Sequence, residues 1–486
     1  MKRAFSVLLK ATLVVALLAF AVLLVWAFES RNMPALQIWH TTVLENEFTA
    51  HDASPQITLQ NYLDQEERLF RELQERVYDG VDTTDELIHN RFRAGGPQDP
   101  NWEHRNWNRT FELVPQDLKG GALLLHGLTD SPYSMRRIGE VLHANGFYVL
   151  ALRLPGHGTI PGALTKVRWE DWVAASRLGA RHVRKRIGPD RPFVVAGYSN
   201  GGALAVKYAL DALTDPNLSP PDRLLLFSPE IAIDSLAFIA NSQKLLSFLP
   251  YFAKFKWLSI KPEYDPFKYN SFPKNAARAA WGVTAAVHRQ LQEAHGSGRF
   301  KDFPSVLTFL SWTDATVKTS ATIQLLYDRL QNEGSELIIF DVNRLDPLTP
   351  FVPAANESPL KRLEASADLP YRLTVVTNVA GDSRWVGQRT KAPRSSVIKS
   401  RPLQMSWPPG VYSLSHVAIP VPPDDQVYGT GDGPQGAYHG LPLGSLKPRG
   451  ETRLLTVPLS HLMRLRHNPF FAYMEERIIE EIDKAQ

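Results

Sequence analysis

Ser199 stands in a setting that suits a nucleophile. It is the middle residue of the motif Gly-Tyr-Ser-Asn-Gly at residues 197–201, and Gly202 follows. An apolar strand pattern at 192–196 precedes the motif, and a helical pattern at 203–213 follows it. At such a strand-to-helix turn, glycines permit close backbone approach and a strained serine projects its hydroxyl above the sheet. Motif and context together predict a nucleophilic serine, against the alternative of an ordinary glycine-rich turn.

Acyl transfer also needs hydrogen-bond donors aimed at the oxyanion that develops in the transition state. The N–H group of Asn200, at the start of the predicted helix, is expected to be one donor. The second is expected in the loop after an earlier strand, and residues 126–131 follow the apolar strand 122–125. We assign this second donor to the N–H group of Leu128. His126 precedes the nucleophile in the chain, which favours a role in organising the loop over a role as catalytic base.

These residues require a sheet to position them. Strand patterns alternate with helical patterns from about Thr110 onward. Predicted strands cover residues 111–114, 122–125, 147–152, 193–196, 223–228, 306–310 and 336–340, and predicted helices cover 134–145, 169–187, 203–213 and 470–484. Repeated strand–helix units indicate an α/β protein with a mostly parallel sheet and helices on both faces.

Three motifs together resemble the α/β-hydrolase superfamily. They are His126-Gly127-Leu128, the Pro-Gly-His-Gly loop at 155–158 and the serine motif at 197–201. The resemblance is strongest to the branch that holds monoacylglycerol lipases, carboxylesterases and serine aminopeptidases. It covers residues 110–317 well and the C-terminal third patchily. It implies an α/β-hydrolase fold and a catalytic triad in which an acid and then a histidine follow the serine.

The acid that the resemblance implies is Asp314. It comes just after the predicted strand 306–310, and Val317 follows three residues later, as at the family's acid position. Its role would be to hold the imidazole tautomer and stabilise the imidazolium.

Four histidines follow Asp314 and are candidates for the base: His416, His439, His461 and His467. His416 follows residues 410–415, whose pattern predicts a strand, and a histidine just past a strand end suits a triad. His461 has a similar setting after residues 454–457 and precedes the predicted terminal helix. We prefer His416 and keep His461 as the alternative base.

The chain departs from the simplest family pattern because no histidine follows the strand 336–340 closely. Residues 343–409 are therefore interpreted as an insertion with its own strand at 371–376. The aromatic-rich residues 231–300 are interpreted as a helical cap over the site, against the alternative of additional core packing.

The catalytic domain is accordingly expected to span residues 109–486. Residues 32–108 form a helical and loop extension before it. Apolar residues recur at helical spacing from 57 to 78, which predicts an amphipathic helix packed on the catalytic domain.

The N-terminus carries a candidate membrane anchor. Residues 11–28 hold no charge, and 18 residues at 1.5 Å each nearly cross the hydrocarbon core. The run ends without a small-x-small cleavage site, so an uncleaved anchor within residues 1–31 is favoured over a signal peptide. Three basic residues precede the span, and a single one, Arg31, follows it before Arg68. The positive-inside rule then predicts a cytoplasmic N-terminus and an outer, periplasmic or extracytoplasmic, catalytic domain.

Composition excludes several kinds of site. The chain has no cysteine, which excludes disulfides and cysteine-ligated metals. The net charge is +4, but the basic residues are scattered without interleaved aromatics, so no nucleic-acid partner is expected. The expected chemistry needs neither cofactor nor metal.

These residues predict a membrane-anchored serine hydrolase that cleaves carboxylic esters through an acyl-enzyme, with Ser199 attacking and His416 as base. The aromatic-rich cap and the anchor favour carboxylic esters with a lipid-like or medium acyl chain. Because a fold does not fix a substrate, a serine aminopeptidase and a thioesterase stay open as alternatives. So does a catalytically inactive hydrolase fold used as a membrane-tethered binding module.

Overall fold

The computed structural model describes residues 2–484 except 82–86, 103–104, 233–248, 352–357, 380–382, 432–437 and 452–453. The strands are β1 (Phe111–Leu113), β2 (Gly120–Leu125), β3 (Phe147–Leu152), β4 (Phe193–Tyr198), β5 (Arg223–Phe227), β6 (Trp257–Ser259), β7 (Phe272–Pro273), β8 (Ser305–Ser311), β9 (Glu336–Phe340), β10 (Arg372–Asn378), β11 (Trp385–Lys391) and β12 (Ile398–Ser406). The helices are α1 (Lys2–Asn32), α2 (Ile38–Thr41), α3 (Leu59–Arg76), α4 (Arg136–Ala144), α5 (Trp169–Ile187), α6 (Asn200–Ala212), α7 (Lys274–Gly296), α8 (Thr319–Ala321), α9 (Ser358–Ala365), α10 (Leu459–Leu462) and α11 (Phe471–Asp483).

One large sheet organises the described part of the chain, with strand order β1-β3-β2-β4-β5-β8-β9-β10-β11-β12. The strands from β3 to β10 in this order run parallel to their neighbours. Antiparallel strands close both edges, β1 at one and β11 with β12 at the other. The predicted α/β class with a mostly parallel sheet is confirmed.

Side chains along β2 point alternately to the two faces of the sheet, and both faces are covered by helices. Leu123 and Leu125 point into a core built with helices α5, α6 and α7. Ala122 and Leu124 point into a second core built with α4 and α11. Every residue of β2 is buried, because a parallel strand with helices on both faces has no solvent side.

The segment interpreted as an insertion at 343–409 holds more strands than the one predicted. The strand predicted at 371–376 is present as β10, and β11 and β12 follow it and extend the main sheet. Most residues of β12 are exposed. A strand held at a sheet edge mainly by backbone hydrogen bonds needs no apolar alternation, so the sequence pattern gave no signal for it.

The prediction of a strand at 410–415 is wrong, and residues 454–457 do not form a strand either. Gly410 has a φ of 75°, which ends any extended run. The segment is held by bonds that cross the sequence: the Asn343 N–H donates to the Tyr412 carbonyl (2.8 Å), and the Ser311 hydroxyl donates to the Leu414 carbonyl (2.8 Å). These bonds satisfy two carbonyls of the segment without a strand partner.

The helix predicted at 57–78 is α3 and packs on the catalytic domain as expected. Its Tyr62 hydroxyl donates to the Arg153 carbonyl, and Glu66 forms a 2.9 Å ion pair with the buried Arg153 guanidinium. The described part of the predicted cap holds a 3-10 turn (Pro250–Lys256), the β6–β7 pair and α7. Residues 233–248 of that cap lie outside the described residues.

Helix α1 is long and apolar enough to cross a membrane from Phe5 to Asn32, and its most apolar stretch is not buried against the rest of the protein. A signal sequence meets the same criterion of length and composition.

Candidate active site

Ser199 occupies a strained turn between β4 and α6. Its φ of 55° and ψ of −118° are rare for a residue with a side chain. The backbone is held from two sides: the Ser199 N–H donates to the Phe227 carbonyl (3.0 Å), and the Ser199 carbonyl accepts from the Glu230 N–H (2.9 Å). This tight backbone pairing offsets the strain and fixes the position of the hydroxyl.

The glycines around Ser199 are required by close packing. A Cβ on Gly201 would lie 2.0 Å from the Leu125 carbonyl oxygen, and one on Gly197 would lie 2.2 Å from the Gly201 carbonyl oxygen. The motif therefore lets α6 begin directly against β2, and Ser199 is left 7% exposed.

Asp314 and His416 meet across 102 residues of sequence. The Nδ1–H of His416 donates to Oδ2 of Asp314 at 2.8 Å, and both side chains are buried. The other carboxylate oxygen, Oδ1, accepts from the N–H groups of Thr316 (2.7 Å) and Val317 (3.0 Å). Burial raises the pKa of Asp314, but the His416 imidazole and these N–H groups outweigh it and hold that pKa below its ordinary value. With Nδ1 protonated, Nε2 is the acceptor nitrogen.

The imidazole of His416 lies beside the nucleophile turn. Its ring centroid is 5.2 Å from that of Tyr198, the residue before Ser199. Among the described residues, no hydrogen bond joins the Ser199 hydroxyl to the imidazole. Such bonds are often long in enzymes without substrate.

The other late histidines lie elsewhere. His461, the alternative base, is exposed on α10 with its Nδ1 2.9 Å from Lys261 Nζ, and partial burial and that lysine lower its pKa. His467 is buried and its Nδ1 contacts the Tyr428 carbonyl. His439 is exposed. Among the described residues, His416 alone of the four forms a hydrogen bond with a carboxylate.

The loop after β2 is organised by His126. Its Nδ1–H donates to the Gly127 carbonyl (2.9 Å), and its Nε2 accepts from the Leu154 N–H (3.0 Å). Burial, with His157 nearby, holds the pKa of His126 well below its ordinary value, so the ring stays neutral as this pairing requires. In the described part of the chain, the N–H groups of Leu128 and Asn200 donate to no protein acceptor, which leaves both free for an oxyanion.

The same loop is braced by the cap. Asp130 forms an ion pair with Lys268 (2.9 Å), and the Tyr269 N–H donates to the Thr129 carbonyl (2.9 Å). Thr129 has a φ of 65°, a strained conformation next to the predicted oxyanion donor Leu128.

Glu230 was missed by the sequence analysis. It lies three residues beyond β5, its N–H donates to the Ser199 carbonyl, and its Oε2 is buried with no hydrogen-bond partner. Burial, with repulsion from the Asp314 carboxylate, raises the pKa of Glu230 to about 7. A Pro-Glu pair just past a strand end was the available signal, but its burial depends on the fold.

No group of three metal-ligating side chains occurs among the residues that the structure describes. The arrangement of Ser199, Asp314 and His416 suits nucleophilic and acid–base chemistry by these side chains.

Comparison with known proteins gives matches of two kinds. A model of the alpha/beta hydrolase family matches residues 122–398. A stretch of 89 residues is 36% identical to the thermostable monoacylglycerol lipase of Bacillus sp. (strain H-257), covering 18% of this chain and 34% of that protein. The match thus spans about a third of the length of this curated relative.

Solved structures also align with the chain. One is reported for LipS and LipT, two metagenome-derived lipolytic enzymes, with 22% identity, 54% of this chain and 98% of that chain covered, and a TM-score of 0.39. Another is a monoacylglycerol lipase of Paleococcus ferrophilus, with 18% identity, 52% and 97% covered, and a TM-score of 0.36.

Proposed function

The chain belongs to the alpha/beta hydrolase family, whose model matches more than half of it, and from this premise we propose that it is a membrane-anchored serine hydrolase that cleaves carboxylic esters. The observation that carries the proposal is the buried Asp314–His416 pair beside the strained turn of Ser199. Nucleophile, acid and base follow one another in chain order as an α/β-hydrolase triad requires.

In the proposed first step, the Ser199 hydroxyl attacks the ester carbonyl carbon and Nε2 of His416 accepts its proton. Asp314 keeps the Nδ1 proton in place and stabilises the imidazolium. The N–H groups of Leu128 and Asn200 donate to the oxyanion of the tetrahedral intermediate. The imidazolium then protonates the departing alcohol, and an acyl-enzyme forms on Ser199.

In the second step, His416 takes a proton from water, and the hydroxide formed attacks the acyl carbonyl. The second tetrahedral intermediate uses the same two N–H donors. Its collapse releases the carboxylic acid and returns the proton to Ser199. The side chains supply every proton transfer, so the cycle requires no cofactor.

The proposed substrate is an ester with a lipid-like acyl chain. The curated relative is named a monoacylglycerol lipase, which supports this substrate class. The apolar helix α1 also supports it, because an uncleaved anchor would hold the catalytic domain at a membrane that contains such esters. In the proposed topology the N-terminus is cytoplasmic and residues after Asn32 are outside.

The decisive experiment is labelling of the full-length protein with a fluorophosphonate probe, which reacts with an activated serine. We expect the wild type to label and both Ser199→Ala and His416→Ala to remain unlabelled. His461→Ala is the matched control, since it removes an exposed imidazole and is expected to label normally. If His461→Ala loses labelling and His416→Ala keeps it, the base is His461 instead.

An absence of labelling in the wild type would favour a catalytically inactive binding module. An active enzyme would next be tested on oxygen esters and thioesters of matched chain length, and preference for the thioester would make it a thioesterase.

A serine aminopeptidase is the second candidate, and Glu230 is the observation that favours it. A buried carboxyl group with an unpaired oxygen beside the nucleophile could bind the free amine of a peptide substrate. Hydrolysis of aminoacyl p-nitroanilides that is lost in Glu230→Gln, with little hydrolysis of acyl esters, would establish this candidate over the esterase.

A further inference from the structure

The end of α1 is bound directly by the cap. The Lys254 ammonium donates to the carbonyls of Ser30 (3.1 Å) and Met33 (2.7 Å). The Ser30 hydroxyl donates to the Tyr251 carbonyl (2.7 Å), and the Tyr251 hydroxyl donates to the Ala27 carbonyl (3.0 Å). We call these three side chains, Ser30, Tyr251 and Lys254, the clamp.

The clamp satisfies the Ser30 carbonyl, which lies in the last turn of α1, and the Met33 carbonyl just beyond the helix. The last four carbonyls of an α-helix have no partner within the helix, and a partial negative charge collects there. A lysine that donates to these carbonyls is a stabilising partner. Lys254 supplies this partner from a position 221 residues beyond Met33, so the clamp joins two distant parts of the chain.

The same cap segment continues to the loop of the proposed oxyanion donors. After the clamp the chain passes through β6 and β7, which pair with each other. Between them Lys268 pairs with Asp130, and the Tyr269 N–H donates to the Thr129 carbonyl. A continuous set of contacts thus runs from the end of α1, through the cap, to the loop that holds Leu128.

Apolar groups are exposed at the clamp and close to it in the chain. Tyr251 is 54% exposed, and its hydroxyl donates to the carbonyl of Ala27, whose neighbour in α1, Phe28, is 69% exposed. Leu249, two residues before Tyr251, is 40% exposed. Tyrosine beside an apolar helix end is typical of a membrane interface, where the ring sits at headgroup depth. These side chains continue the apolar surface of α1 onto the cap.

We propose that the cap segment from Leu249 to Lys256 rests on the lipid bilayer, with the clamp holding it against the end of the membrane helix so that the site takes its ester from the bilayer. The occupant of this surface is lipid, because the patch is continuous with the apolar helix α1. The substrate route rests on the proposed hydrolase activity, whereas the docking of the cap rests only on the proposed membrane anchoring by α1.

The docking can be measured without activity. The chain has no cysteine, so Leu249→Cys introduces a single site for an environment-sensitive nitrobenzoxadiazole dye. In vesicles of phosphatidylcholine with nitroxide-labelled lipid, we expect the fluorescence of the dye attached at Leu249→Cys to be quenched at least threefold more strongly than that of the same dye attached at Glu333→Cys. Glu333 is exposed just before the start of β9, whereas Ser199 follows the end of the parallel strand β4, so the two residues lie at opposite ends of the strands. Equal quenching at the two positions would overturn the proposal.

The clamp is tested by adding Lys254→Ala to the dye-labelled protein. We expect quenching at residue 249 to fall by at least half. Lys256→Ala is the matched control, because it removes one positive charge from the same 3-10 turn, and the Lys256 side chain is exposed. The phosphatidylcholine vesicles carry no net charge, so the loss of a positive charge does not by itself change the attraction to the membrane. Tyr251→Phe removes a single hydrogen bond and should give a smaller fall in the same direction if Lys254→Ala fails to fold. Equal effects of the two lysine variants would refute the clamp.

Activity then tests the route of the substrate. We expect Lys254→Ala to lower kcat/KM about tenfold on a long-chain monoacylglycerol embedded in the vesicles and less than twofold on water-soluble p-nitrophenyl butyrate. An equal loss on both substrates would contradict the route from the bilayer. If the wild type hydrolyses neither ester, the proposed function fails, and the quenching result still decides whether the cap docks.

Discussion

Asp314→Asn is expected to abolish most activity while leaving the fold intact. Oδ1 of Asp314 already accepts from the N–H groups of Thr316 and Val317, so the asparagine oxygen must take that position. Its Nδ2 amide group then faces Nδ1 of His416, where it can only donate. The imidazole is forced into the tautomer with Nε2 protonated, which cannot accept the proton of Ser199.

The expected size of the effect follows from the tautomer. In a serine protease the equivalent change lowers kcat about 10⁴-fold, which corresponds to about 5.5 kcal/mol in the activation free energy. The assay is steady-state hydrolysis of p-nitrophenyl butyrate at pH 7, with the rate of fluorophosphonate labelling measured in parallel. Asp302→Asn is the matched control, because Asp302 is an exposed aspartate that precedes the start of β8, whereas Asp314 follows its end. Activity of Asp314→Asn within tenfold of wild type would refute the assigned role.

Three further predictions concern the surroundings of Ser199. Gly201→Ala should lower the free energy of unfolding, measured with urea, by about 3 kcal/mol, because the added Cβ would lie 2.0 Å from the Leu125 carbonyl oxygen. Gly296→Ala is the control: its Cβ would have no atom within 4 Å, so the change should be neutral or slightly stabilising. Glu230→Gln should raise the free energy of unfolding by about 3 kcal/mol relative to the wild type at pH 8, and should leave it unchanged below pH 4.5. The reason is that the pKa of Glu230 is raised to about 7 in the folded state, so ionising it above pH 4.5 favours the unfolded state. The free energy of unfolding of the wild type should therefore fall, relative to that of Glu230→Gln, as pH rises from 4.5 to about 7. A difference between the two proteins that does not change with pH across that range would contradict the raised pKa of Glu230. Lys268→Met leaves buried Asp130 without its ion pair and should lower kcat about tenfold with KM little changed, whereas a change in KM alone would argue against a role at the oxyanion loop.

The base shows the limit of local reasoning at this site. A histidine just past an apparent strand end was the criterion for both His416 and His461, yet neither follows a strand in the structure. What distinguishes them is the contact of His416 with Asp314, made across 102 residues. The assignment of His416 as base stays a prediction until it is tested by substitution.

The sequence by itself determined the α/β class, the turn of Ser199 and the apolar N-terminal helix. Each of these depends on neighbours within a few residues or on regular periodicity, which the order of amino acids records directly. The tertiary structure alone decided which histidine meets Asp314, that Glu230 is buried beside the nucleophile, that β11 and β12 extend the sheet, and that Lys254 binds the end of α1. Those features arise where distant segments pack and shield charges or satisfy backbone groups, and no local pattern encodes that pairing.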